Sequence, residues 1–243
     1  MKKALVLTFG IASYGLFFGV FLYMIGFIGN AFVPRSIDVG PEAPFGFALL
    51  INSGLVLLFG LQHSIMARPA FKRVWTQIIP EAIERSTYVL ASSLALIALF
   101  YFWRPMPLML WDFTGTTLGT IGWIGFGAGW VLLLISTFLV NHFDLFGLRQ
   151  VVNFSQGRTP APLKFAKRGF YKFARHPIYL SWLIITWTTP AMSVGHLVYA
   201  IGMTVYMFVA IPFEERDLVE EHGETYRRYQ ESTPMVIPGI GAA

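Results

Sequence analysis

This sequence predicts an all-α integral membrane protein: a bundle of five or six transmembrane helices with a C-terminal helical hairpin and a cytosolic amphipathic tail helix. Three observations carry that expectation. Of 243 residues, 55% are hydrophobic. Only 13% are charged, about half the share in a soluble domain. The apolar residues also gather in runs close to the roughly 20 needed to cross a bilayer.

The first run, 4–29, follows Met1-Lys2-Lys3. It is longer than the roughly 7–15 residues of a signal-peptide core, and no A-x-A cleavage site follows, so it is expected to remain as a first helix. Runs at 44–66, 86–103 and 118–140 supply three more. The stretch 177–213 is interrupted between Pro190 and His196 and reads as a hairpin. Its first arm, 178–191, is short for a span, which leaves the count at five or six. Glycines 119, 122, 125, 127 and 129 share one run, as close helix packing requires. Trp103, Trp111 and Trp182 are candidates for the interfacial aromatic belt.

Charge orients the bundle. With the N-terminus inside, 16 of the 18 Lys and Arg residues fall on cytosolic segments, and only Arg35 and Arg104 lie outside. That asymmetry is the positive-inside pattern. The net charge of +5 is accounted for by anionic lipid headgroups and calls for no nucleic acid. With no cysteine, the chain has no disulfide, no thiolate metal site and no cysteine nucleophile.

Four motifs carry chemistry. Residues 168–179 read R-G-F-Y-K-F-A-R-H-P-I-Y and lead into an apolar segment. Proline disfavours the α region for its predecessor, so His176 is expected to be extended. Pro177 suits the first turn of a helix. The result is a helix N-terminus at the membrane face, flanked by Arg175 and His176, with N–H donors suited to an anion. The second motif, P-F-E-E-R-D-L at 212–218, leads to Gly223, Tyr226 and Tyr229. Continuous helix would put Glu214, Leu218, Tyr226 and Tyr229 near one face. Glu214 and Glu215 there suit a positively charged partner, although a solvated amphipathic tail explains the same spacing. Taken together, the two motifs match a zwitterionic sulfonium compound such as S-adenosylmethionine.

The third motif is N-H-F-D-L-F-G-L-R-Q at 141–150, and the fourth is Q-H-S at 62–64. His63, His142 and Asp144 are expected on one side of the membrane. They read as a general base with its orienting partner, as metal ligands, or as interfacial hydrogen bonding. His196 and His222 carry no expected role.

At R-H-P-I-Y, E-E-R-D-L and G-E-T-Y-R-R-Y the chain resembles the isoprenylcysteine carboxyl methyltransferase superfamily, over roughly residues 150–238. The resemblance implies S-adenosylmethionine bound by Gln156, Leu163, Lys164, Phe165, Ala166, Tyr171, His176, Pro177, Ile178, Tyr179 and Glu214. Arg175, Glu215, Tyr226 and Tyr229 join that set from the motifs above. Two positions depart from the family pattern. Leu163-Lys164-Phe165-Ala166 stands where the family often has His-x-Leu-Val, and Ala210 stands where it has a substrate-binding arginine. Without that guanidinium a carboxylate substrate loses its bidentate partner.

The stretches 62–69 (Q-H-S-I-M-A-R-P) and 141–150 are similar to a bacterial subgroup that methylates methanethiol to dimethyl sulfide. That resemblance covers nearly the whole chain. It implies a single membrane domain, with a four-helix part over 1–140 and a cofactor-binding part over 141–243, in the bacterial inner membrane with both termini and the active site cytosolic. A small thiol attacks as thiolate, so a base is useful. His142 is expected to take the proton, Asp144 to orient it, and Arg149 or His63 to stabilise the thiolate. No metal ligands are assigned. Hydrogen sulfide stays open as a second acceptor. Two alternatives also remain: methylation of a prenylcysteine carboxyl or lipid, and a haem- or metal-binding protein or transporter using His63 and His142.

Overall fold

The computed structural model describes residues 2–158 and 167–240. Among these residues, five helices are long and apolar enough to cross a membrane: α1 (Lys3–Gly29), α2 (Phe45–Ala67), α4 (Glu81–Phe102), α5 (Thr117–Val140) and α9 (Val194–His222). Shorter helices are α3 (Pro69–Trp75), α6 (His142–Leu145), α7 (Leu148–Gln156), α8 (Pro177–Trp187) and α10 (Glu224–Ser232). Strand β1 (Met109–Asp112) pairs with β2 (Ala191–Ser193). The protein is an all-α integral membrane protein.

Local chemistry sets the helix ends. Asn30 closes α1 in the left-handed conformation at φ 52°, which asparagine tolerates well. Pro80 precedes α4, whose first turn holds Glu81 and Glu84, favourable at the positive end of the helix dipole. The Thr116 hydroxyl accepts from the Gly119 N–H at 3.1 Å and caps α5.

The chain divides into two compact units, each assembled from separate stretches. The first holds α1–α4, α7 and the start of α9. Its core collects Phe27, Leu99, Trp103 and Tyr199, all nearly inaccessible. Trp103 is therefore a core residue and not part of an interfacial belt; its indole N–H donates to the Ile37 carbonyl at 3.0 Å. Asn52 binds both main-chain groups of Arg104, at 2.9 Å and 2.7 Å. Gly147 turns the chain between α6 and α7 at φ 86°. A Cβ there would lie 2.7 Å from Ser86 Oγ.

The second unit holds β1, α5, α8, most of α9 and α10. Here the glycine run of α5 meets α8 backbone to backbone. A Cβ on Gly122 would lie 2.7 Å from the Thr188 carbonyl, and one on Gly129 would lie 2.8 Å from Ile185 Cγ1. Gly127 faces open space. We expect Gly122→Ala to cost about 1–3 kcal/mol through overpacking, read as a lower Tm in detergent. Gly127→Ala is expected to leave Tm unchanged or higher, because alanine favours helix.

The short arm of the hairpin finds its length along α5. Helix α8 has 11 residues, about 16 Å. Its C-terminal end lies beside Gly122 and Gly125, near the start of α5. The 3-10 turn Gly169–Lys172 covers the other end of α5, with Gly169 against Leu139 and Tyr171 against Ser136. In place of one continuous tail helix, Gly223 at φ 58° separates α9 from α10. Leu218 and the tyrosines therefore do not share a single helical face.

Candidate active site

His176 precedes α8 at φ −123°, and Pro177 opens the helix, as the sterics of a His-Pro step dictate. The polar cluster around it belongs entirely to the second unit. The Glu215 carboxylate accepts from Arg175 Nε at 2.6 Å, Arg175 Nη2 at 3.4 Å, His176 Nε2 at 3.0 Å and Gln230 Nε2 at 2.9 Å. Arg175 also donates through Nη1 to the carbonyls of Gln230 (2.8 Å) and Thr233 (2.6 Å). Main-chain bonds from Arg175 to Pro234 and from His176 to Met235 fasten the same segment to the tail.

Its neighbour Glu214 is placed differently. Its side chain is 40% exposed, against 12% for Glu215. Among the described residues it accepts one hydrogen bond, from the Tyr179 hydroxyl at 2.8 Å. His176 Nδ1 lies 3.9 Å from Glu214 Oε2, and the imidazole stacks on the Tyr179 ring at 5.4 Å. Two consecutive carboxylates thus differ sharply: one is filled with protein donors, the other half-open.

Three tyrosines surround this cluster. The Tyr229 hydroxyl donates to the Tyr171 carbonyl at 2.6 Å, and Tyr226 packs edge-on against Tyr229 at 5.6 Å. Burial first, then Glu214 and Tyr229, raises the pKa of the Tyr171 phenol. Burial, aided by both glutamates, raises that of Tyr226. Tyr229 is pushed up to about 12, mainly by burial, with Arg175 opposing. All three remain neutral hydrogen-bond donors near pH 7. Lys167 donates to Thr233 Oγ1 at 2.7 Å and lies 5.2 Å over the Tyr229 ring.

His142 lies in the same unit, just past α5. Its ring stacks on Phe138 at 4.4 Å, and Nδ1 lies 2.9 Å from Thr137 Oγ1. The Thr137 hydroxyl donates to the Leu134 carbonyl at 2.7 Å, so toward His142 it is an acceptor. This geometry assigns the proton to Nδ1 and the lone pair to Nε2. Burial lowers the His142 pKa, which keeps the ring neutral at physiological pH.

The other sequence-derived candidates lie as follows. Asp144 meets Arg149 at 3.5 Å, and its carbonyl accepts from Gln150 at 3.0 Å. His63 engages the Tyr88 hydroxyl through Nε2 at 2.7 Å and Ser92 Oγ through Nδ1 at 3.2 Å. Gln156 ends α7 and is exposed. Pro177 is buried and Ile178 half-buried in the first turn of α8. Leu163, Lys164, Phe165 and Ala166 lie outside the described residues. Among the described residues, no group of three His, Asp or Glu side chains is arranged to hold a metal ion. The sequence reading missed Thr137, Gln230, Thr233 and Lys167. These act through ordinary hydrogen bonds that no residue type announces.

Fold and site together define an integral membrane protein with a carboxylate, an imidazole and phenols gathered beside one helix N-terminus. Residues 67–233 match a family described as a protein of unknown function, DUF1295. The methanethiol S-methyltransferase of Crocosphaera subtropica is 47% identical over 241 residues, covering 99% of this chain and 94% of that protein. That of Mycobacterium tuberculosis is 45% identical, covering 98% of each. Nurim of Xenopus laevis is 31% identical over 175 residues, 69% of this chain and 61% of that protein. No solved structure matches the chain. The chain belongs to the methanethiol S-methyltransferase family.

Proposed function

We propose that this protein is a membrane enzyme that methylates methanethiol to dimethyl sulfide with S-adenosylmethionine as donor. Full-length similarity to proteins named for that reaction carries the reading. The donor's fit rests on unsatisfied polar capacity at the site. Among the described residues, Glu214 keeps lone pairs beyond its one bond to Tyr179. The Ser136 hydroxyl, fully buried beside Tyr171, has no hydrogen-bond partner among the described residues, a costly state for a buried polar atom. His176 Nδ1 and Glu214 Oε2, 3.9 Å apart, are spaced so that one ammonium can bridge them. When bound, the donor supplies an electrophilic methyl on a sulfonium sulfur.

The residues that would hold it are Glu214, His176, Tyr179 and Tyr171, with the positive end of the α8 dipole facing its carboxylate. Gln156 and the 163–166 stretch join them by family resemblance. His142 takes the thiol proton at Nε2, and Thr137 holds the ring in the receptive tautomer. From the sequence motifs alone, Asp144 stays the candidate to orient His142, and Arg149 or His63 the candidate to stabilise the thiolate. That sulfonium would give its methyl to the methanethiol sulfur and be left as a neutral thioether, and the thiol proton would pass to His142. Methanethiol is apolar and partitions into lipid, whereas the donor is charged and comes from water. A site at the membrane face serves both. The 16 basic residues on the N-terminal side of the topology support a bacterial inner-membrane protein with cytosolic termini and site.

Purified protein given methyl-labelled S-adenosylmethionine tests this. Labelled dimethyl sulfide is expected in the headspace only when methanethiol is present. Label in the lipid phase instead would assign a lipid acceptor and overturn the reading.

A further inference from the structure

We propose that Glu215 is a positioning residue that never touches the ligand. Through Arg175 and Gln230 it ties the tail to the start of α8, and it fixes the His176 ring in the Nε2–H tautomer so that Nδ1 faces the ligand as an acceptor. This deepens the donor-binding reading above and rests on it.

The two carboxylates differ in what remains for a ligand. Glu215 is nine-tenths buried and already receives four N–H groups, from Arg175, His176 and Gln230. Four donors fill a carboxylate's capacity. A carboxylate only accepts, so His176 Nε2 must carry the proton in the 3.0 Å bond between them. In the neutral ring the other nitrogen, Nδ1, then carries the lone pair. Nδ1 lies 3.9 Å from Glu214, beyond hydrogen-bond range, so the protein itself does not use it there.

Every charged group facing this ring acts through that arrangement. Arg175 neutralises Glu215 at 2.6 Å, leaving Glu214 as the half-open charge. The tail adds leverage. Arg175 binds the carbonyls of Gln230 and Thr233, and main-chain bonds join residues 175 and 176 to 234 and 235. Removing the Glu215 acceptor oxygens therefore frees the tautomer and loosens the segment carrying His176.

Nitrogen NMR of ring-labelled histidine, at pH 8 without ligand, reads the tautomer directly, with His176→Gln identifying the signal. The wild type is expected to show the neutral Nε2–H pattern at His176. An Nδ1–H ring or an imidazolium there overturns the proposal, whether or not Glu215→Leu folds. Calorimetry with S-adenosylhomocysteine gives the second readout. Glu215→Leu, which removes both acceptor oxygens, is expected to lose the tautomer and weaken binding at least tenfold. Unchanged affinity in folded Glu215→Leu, with only a lower Tm, would make the residue purely structural and overturn the lock. Wild-type protein that shows the tautomer yet does not bind S-adenosylhomocysteine would refute the donor assignment and leave the lock standing.

Discussion

His142→Gln is expected to lower turnover about 10²–10⁴-fold, the usual contribution of a positioned general base. Affinity for S-adenosylhomocysteine should stay within twofold. The direction of the His142 shift sets the pH profile. Burial lowers its pKa, so the base stays neutral, and the rate flat, as pH falls through the ordinary histidine value of about 6.5. Activity is then lost at lower pH as the ring protonates. The variant should lack this acid limb. Thr137→Val removes the hydroxyl that meets Nδ1 and is expected to lower turnover by a smaller factor, with Thr137→Ser restoring it. Unchanged turnover in His142→Gln at neutral pH would remove His142 from the reaction.

Glu214→Gln carries the second large effect. A hydrogen bond to a charged group contributes roughly 1.5–3 kcal/mol, so calorimetry should show affinity for S-adenosylhomocysteine lower by about 10- to 100-fold. Glu214 is half-exposed, and the described residues give it a single bond, to Tyr179, so Tm should barely move. That separates it from Glu215, whose replacement breaks four hydrogen bonds within the protein. Retained affinity in Glu214→Gln would move the ligand's cationic end elsewhere.

Much of this architecture was legible in the sequence because membranes impose strict rules. Each apolar run near 20 residues became a helix within a few residues of its expected limits. The start of α8 could be read from Pro177 alone, since proline sterics leave little choice for His176. The glycine run of α5 announced its contact with α8, although Gly127 takes no part. The continuous tail helix was misread. Its helical spacing looked unbroken, yet Gly223 takes a positive φ and turns α10 into a separate segment. The partners of the polar residues were less legible still. Nothing in the pair Glu214-Glu215 says which one Arg175 will occupy, because that depends on where residues 230–235 return. Thr137 was equally hidden: a threonine inside an apolar helix ordinarily bonds its own backbone, and here it does that and meets His142 as well.

The brevity of α8 has a consequence for the surrounding lipid. At about 16 Å it covers roughly half the hydrocarbon thickness, and the 3-10 turn beside it displays Phe170 and Phe173 at 39% and 61% exposure. Arg168 and Lys172 flank these rings. Such a rim suits the headgroup layer, and a helix this short calls for local accommodation of hydrophobic mismatch. Acyl-chain length is then expected to be a variable of the enzyme's environment, with a thicker leaflet covering the segment that carries His176.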